Sequence, residues 1–408
     1  MATHKRSAAD PISGSSIYAH IVGWGMAVPD RIMTNEEMSA IVETSDEWIQ
    51  ARTGIKERRI AGERDSTATL GLKAAQRALE VADILPTEVE LVIVATSTSE
   101  NIFPSTASLI QDWLGASNAG AFDMSAACSG FVYAVHMAAQ SIRSGSIKTA
   151  LVVASETMSR VMDWQDRGTC ILFGDGAGAV VLQASDVEGG VLSTVLRSDG
   201  SGYDLLGIPS VGSLDTCAPI VNPNGHKMYK MHMNGGEVFK FASRVIGESI
   251  TQALDNVGLR LDEVKLIVPH QANDRIIQSA ARALKVEKEI FISNIERYGN
   301  TSAASIPIAL CEAIEQGRVQ PNDYIVFVGF GGGLTWASMV VKWGAPEAEE
   351  RQAAVLGKQR RQASYTLARW RARLIRFQRR LSNAVTRIRP NEGRVHRLRH
   401  KIDQHDLR

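Results

Sequence analysis

The sequence predicts an α/β fold built from two copies of one unit, followed by a separate basic segment. Three observations carry this. Short apolar, β-rich runs alternate with helical patterns along most of the chain. The stretch from Ala78-Leu79-Glu80 to Leu91-Val92-Ile93 reappears, without a gap, as Ala253-Leu254-Asp255 to Leu266-Ile267-Val268: 253 − 78, 263 − 88 and 268 − 93 all give 175. Beyond Gly344 the strand pattern stops and arginine dominates.

Taken in order, Met1–Ser16 is polar and small, and lacks the apolar stretch of a secretory signal. Thr67–Val81 reads as the first long helix, Leu91–Ala95 as a buried strand and Ser129–Ser144 as a second helix. Strands at Ala150–Ala154 and Ala179–Leu182 complete a first unit, residues 17–184. In a second unit, residues 185–344, Glu237–Val257, Asp274–Leu284 and Ser302–Glu315 read as helices, with strands at Leu266–Val268 and Tyr324–Val328. At the spacing of 175, Ala150–Val153 falls on Ile325–Val328, again an apolar strand. Chance likeness of two helix–loop–strand units is the plain alternative. A constant spacing over two separate segments weighs against it.

Composition narrows the function. With 408 residues, 44% apolar and 22% charged, the chain has ample material for a core. A net charge of +1 points to neither nucleic acid nor membrane. The four cysteines (Cys128, Cys170, Cys217 and Cys311) show no CxxC spacing, which argues against a zinc or dithiol site, and a disulfide framework does not suit a chain this long. No apolar run approaches the ~18 residues a membrane helix needs. A reducing cytoplasm is the expected location.

Four motifs could carry chemistry. In Asp123-Met124-Ser125-Ala126-Ala127-Cys128-Ser129-Gly130, small residues surround one cysteine just ahead of a helical pattern. A helix N-terminus favours the thiolate, the nucleophilic form. The competing reading is a small buried hydrophobe, the commonest fate of a free cysteine. In Pro269-His270-Gln271-Ala272-Asn273, a histidine follows a buried strand, at the end where α/β folds gather ligands. It could serve acid–base chemistry or donate to an oxyanion, or be an ordinary satisfied histidine. Asn300, in Gly299-Asn300-Thr301-Ser302, is either a helix cap or a neutral oxyanion donor. Gly329-Phe330-Gly331-Gly332-Gly333 lets backbone approach a ligand and present N–H groups. It lacks the Lys-Ser/Thr of a phosphate loop.

None of these decides alone, but together they do. With Thr44-Ser45-Asp46-Glu47-Trp48-Ile49, Asp166-Arg167-Gly168-Thr169 and Phe173-Gly174-Asp175-Gly176-Ala177-Gly178, they closely resemble β-ketoacyl-acyl-carrier-protein synthase III, of the thiolase superfamily, over about Ile17 to Trp343. The resemblance implies a thiolase-like α-β-α-β-α layered fold of two pseudo-symmetric halves and a Cys128–His270–Asn300 triad. It also implies an oxyanion hole at the backbone N–H groups of Cys128 and Gly333. The reaction implied is a decarboxylative condensation of an acyl-CoA primer with malonyl-acyl-carrier protein, at the start of fatty-acid synthesis, with no metal or redox cofactor.

By the same resemblance, Trp48, Arg52, Arg167 and Asn273 belong to the CoA site. Phe103 and Phe330 border the acyl pocket, with Phe103 reaching across a homodimer and favouring a short primer such as acetyl-CoA. Lys240 and Arg275 dock the acidic carrier protein. Read without the family, these are a half-buried tryptophan, core phenylalanines and solvated charges. Gly236 stands where the family usually has asparagine. Related alternatives are a condensing enzyme of secondary metabolism or, from another class, a non-catalytic scaffold for carrier protein or membrane.

The segment 345–408 departs from the family. Its 17 Lys+Arg against 6 Asp+Glu give +11, leaving −10 for the rest of the chain. Leu367, Trp370, Leu374, Phe377, Leu381, Ala384 and Ile388 follow a 3-4 spacing up to Pro390, an apolar stripe on an arginine-rich helix. The stripe could pack on the enzyme body or a dimer mate. It could also lie on a membrane surface or recruit carrier protein. Nucleic acid fits least, since no known module is present.

Overall fold

In a computed structural model of the chain, the described residues are 16–210, 224–344 and seven tail positions: Thr366, Leu367, Trp370, Leu374, Phe377, Gln378 and Leu381. Two sheets form the frame. The first contains β1 (Tyr18–Ala27), β2 (Leu91–Ala95), β3 (Gly120–Met124), β4 (Thr149–Thr157) and β5 (Asp175–Ser185), in the order β1-β5-β4-β2-β3. The second contains β6 (Gly190–Ser198), β7 (Val264–Pro269), β8 (Tyr324–Gly331) and β9 (Thr335–Lys342), in the order β7-β8-β9-β6.

The sequence repeat is a structural repeat. β2 pairs parallel to β4, and β4 antiparallel to β5; β7 pairs parallel to β8, and β8 antiparallel to β9. Even the register is shared: Ile93 faces Val152, and 175 residues later Val268 faces Phe327. The main helices are α1 (Thr67–Ala82), α2 (Thr106–Leu114), α3 (Gly130–Arg143), α4 (Gly235–Asp255), α5 (Asp274–Leu284) and α6 (Ser305–Glu315). A 3-10 turn precedes α3 at Ala127–Ser129 and α6 at Ser302–Ala304, at the same spacing. These turns replace the first residues of the helices expected from Ser129 and Ser302.

Side-chain alternation along the strands explains the layers. Ile93 and Val152, with Val268 and Phe327 of the other sheet, face a central core filled by α3 and α6. Val92, Val94, Leu151 and Val153 face the opposite way onto α1 and α2. Ile267, Val326 and Val328 face α4 and α5. The result is α-β-α-β-α, and strands buried on both faces read as continuous apolar runs. The central helices present small residues, Ala134 and Ala138 from α3 and Ala309 and Ala313 from α6, so the two sheets approach closely. Phe131 of α3 meets Phe327 edge-on at 6.0 Å across that layer. Helix α4 begins two residues earlier than expected because the Asn234 side chain caps it, accepting from the Glu237 N–H.

All seven described tail residues are helical, and Leu367, Trp370, Leu374, Phe377 and Leu381 are exposed. Ala384, Ile388, Pro390, residues 1–15 and Cys217 lie outside the described residues. No described helix is long and apolar enough to cross a membrane.

Candidate active site

The central layer creates the site. The turns Ala127–Ser129 and Ser302–Ala304 meet between the sheets, at the carboxyl ends of strands from both halves. There a cavity of about 500 Å3 is lined by Cys128, His270, Asn300, Phe330 and Gly331–Gly333, among others. Four motifs spread over more than half the chain therefore share one wall.

Cys128 is 6% exposed and stands one turn before α3, with Ala127 at φ 45°. Its Sγ–H donates to the Ser302 hydroxyl over 3.5 Å. The expectation of a favoured thiolate needs correcting. Burial pushes the thiol up to about 12, outweighing the Ser302 hydrogen bond, and the buried Glu156 carboxylate nearby adds to the rise. Gly331 explains how the glycine loop comes so close: a Cβ there would stand 2.7 Å from the Cys128 nitrogen and 3.0 Å from the Ala127 Cβ.

His270 follows β7 directly and is 2% exposed. Its Nδ1 lies 2.7 Å from the Ser305 Oγ, and its ring meets Phe330 edge-on at 5.1 Å. Burial pulls its pKa down to about 3, so it is neutral at physiological pH. Asn300 is not a simple helix cap. Its backbone bridges Leu172 and Gly174, and its Oδ1 accepts from the Ser302 N–H at 2.8 Å. With the oxygen so engaged, the amide NH2 is the group left to face a substrate.

The outlying residues are placed as follows. Trp48, 38% exposed, has the Arg167 guanidinium 5.1 Å and that of Arg52 5.6 Å from its ring. Asn273 lines the cavity and donates to the Arg52 carbonyl, tying the Trp48 helix (Asp46–Thr53) to the cavity mouth. Arg275 lies over Phe239 at 5.9 Å, and Lys240 pairs with Glu237 at 2.8 Å. Phe103 is 84% exposed and does not line the cavity of its own chain. Of the residues near Gly236, it is Gly235 that borders the cavity. Away from the site, Asp204, His226 and His232 cluster together. The two imidazoles stack 3.5 Å apart with planes 3° from parallel, so their in-plane lone pairs do not converge on one point.

Three polar residues here had no assigned role from sequence: Ser302, Ser305 and Glu156. Ser302 and Ser305 stood inside a quoted motif. Glu156 had a visible signal, a lone charge ending the otherwise apolar or small run of β4.

Family models for 3-oxoacyl-[acyl-carrier-protein] synthase III match residues 122–200, and its C-terminal part matches residues 254–343. The chain is 49% identical over 323 residues to β-ketoacyl-[acyl-carrier-protein] synthase III of Clostridium acetobutylicum, covering 79% of this chain and 98% of that protein. The chain belongs to the β-ketoacyl-acyl-carrier-protein synthase III family. The Roseiflexus sp. member is 50% identical over 328 residues, covering 80% and 99%. The crystal structure of the synthase III from Aquifex aeolicus aligns with TM-score 0.74 at 45% identity, over 80% of this chain and 100% of that one. The priming β-ketosynthase of the R1128 polyketide pathway aligns with TM-score 0.76 at 36% identity, over 81% and 98%. As a family member the chain is a thiolase-like acyltransferase that condenses acyl-CoA with malonyl-acyl-carrier protein to start fatty-acid synthesis. The family-model match ends at Trp343.

Proposed function

We propose that Cys128 is the nucleophile of this synthase and that His270 and Asn300 serve the condensation step. The observation that carries this is the single cavity wall shared by Cys128, His270, Asn300 and the glycine loop. An acyl-CoA thioester acylates Cys128, with the backbone N–H groups of Cys128 and Gly333 receiving the oxyanion. CoA leaves. Malonyl-acyl-carrier protein then enters and loses CO2. Its enolate oxygen is held by the His270 Nε2–H and the Asn300 amide, and its carbanion attacks the acyl-cysteine. Splitting the reaction in this way gives ping-pong kinetics. The scheme requires no metal or redox cofactor.

Trp48 and Arg167, with Arg52 close by, form a stacking site for the CoA adenine. Asn273 anchors that site to the cavity. Lys240 and Arg275, next in sequence to the cavity-lining Phe239 and Ile276, suit the docking of an acidic carrier protein. Phe103 and its neighbour Ile102 are bare apolar side chains, 84% and 73% exposed, which suits cover by a second copy of the chain and a short primer beneath it. The exposed Leu367, Trp370, Leu374, Phe377 and Leu381 suit contact with a membrane surface.

Intact-protein mass spectrometry after mixing with a panel of acyl-CoAs, then malonyl-acyl-carrier protein, tests this. One acyl adduct on Cys128, absent from Cys128→Ala and discharged with CO2, is expected and names the primer. An adduct on Cys128→Ala would overturn the assignment. The R1128 likeness favours a second reading, priming of a polyketide, which differs only in the primer selected.

A further inference from the structure

We propose that Glu156 stores the Cys128 thiol proton while the acyl group is on the enzyme, and that Ser302 relays it. This rests on Cys128 being the nucleophile. A thiol that attacks a thioester must lose its proton, and the geometry offers one continuous path. The Cys128 Sγ–H donates to the Ser302 Oγ at 3.5 Å, and the Ser302 hydroxyl donates to the Glu156 Oε1 at 3.0 Å.

Glu156 is wholly buried at the end of β4. Its other partners are also donors: the Ser97 N–H at 3.0 Å, the Thr96 hydroxyl at 3.1 Å and the Thr98 hydroxyl at 2.6 Å. A ring of donors is built for a carboxylate, which only accepts. Yet among the described residues no cation pairs with it, and burial raises its pKa. A buried carboxylate with donors but no counter-charge gains by taking a proton. His270 suits the task less: its Nδ1 is occupied by Ser305, and burial leaves it a weak base. Ser302 holds its hydroxyl between the two groups from a left-handed backbone, φ 50°, a conformation uncommon outside glycine.

The step balances as follows. The Sγ–acyl bond forms and the acyl–sulfur bond to CoA breaks, so the electron pair leaves on the CoA thiolate. The thiol proton moves to the Ser302 Oγ as the Ser302 proton moves to Glu156. The CoA thiolate takes its proton from water. When the carbanion later expels the Cys128 thiolate, the stored proton returns through Ser302.

This gives a readout other than rate. Acylation takes up one proton from solution per acyl-enzyme, whereas direct transfer from thiol to departing CoA takes up none. Stopped-flow mixing of the full-length protein with acetyl-CoA in weak buffer containing a pH indicator measures it, with adduct formation followed in parallel by mass. One proton per adduct is expected for the wild type. Glu156→Gln should slow acylation roughly 10²- to 10⁴-fold and abolish the uptake. Ser302→Ala interrupts the path with Glu156 intact and should do the same. Ala127 already adopts φ 45°, so alanine is tolerated in that backbone region. If Glu156→Gln fails to fold, Ser302→Ala decides. No uptake in the wild type, wild-type acylation in a folded variant, or slow acylation that still takes up a proton would each overturn the relay. A wild type that forms no adduct with any acyl-CoA would overturn the nucleophile assignment instead.

Discussion

Ser305→Ala isolates what orients His270. The Gln271 N–H points at the Ser305 Oγ from 3.3 Å, which leaves the hydroxyl proton free to donate to the His270 Nδ1 at 2.7 Å. With the Ser305 hydroxyl donating, Nδ1 is the acceptor and the ring hydrogen resides on Nε2, the tautomer that the proposed oxyanion role requires. Alanine removes this bias and leaves a buried nitrogen without its partner, at a cost of about 1–3 kcal/mol. A loss of about 1.4 kcal/mol in favour of the Nε2–H form is tenfold in rate. Condensation from preformed acyl-enzyme should therefore fall about tenfold, while acylation by acyl-CoA stays within about twofold. Single-turnover CO2 release after addition of malonyl-acyl-carrier protein measures the first, and adduct formation by mass measures the second. An equal fall in both half-reactions, or unchanged condensation in a folded but less stable variant, would refute the tautomer argument.

Other expectations follow from the same geometry. Gly331→Ala puts a Cβ 2.7 Å from the Cys128 nitrogen, so the nucleophile turn must move, and adduct formation should fall by roughly 10²; a wild-type adduct rate would show that the loop yields freely. Trp48→Ala should raise the KM for acyl-CoA about tenfold with kcat little changed, since base stacking contributes about 1–3 kcal/mol; steady-state kinetics with short acyl-CoAs decide it. His270, held near 3 against an ordinary 6.5, is neutral when folded and protonated when unfolded below pH 6.5. Its contribution to stability is complete above that pH and is lost as pH falls towards 3, about 2 kcal/mol between pH 7 and 5. Urea unfolding at both pH values should show a shallower loss for His270→Gln, and an unchanged slope would contradict the burial argument.

The sequence by itself determined the α/β alternation, the repeat and the family chemistry. The repeat was legible because both copies bury strands on two faces, which forces the same apolar runs and, at a spacing of 175, the same register. That Cys128, His270 and Asn300 belong together was legible because each sits in a local motif of small residues or at a strand end, and the structure brings all three to one cavity. Chain order could not reveal relations between distant segments. Whether Cys128 favours thiol or thiolate depends on its burial, which raises its pKa and is decided by segments far away in the chain. Ser302, Ser305 and Glu156 acquire meaning only where the two 3-10 turns meet across the central layer. A hydroxyl or a lone glutamate carries no role until its neighbours fix its donors and acceptors. Phe103 shows the same limit at the surface, since what an exposed apolar side chain does is set by what covers it.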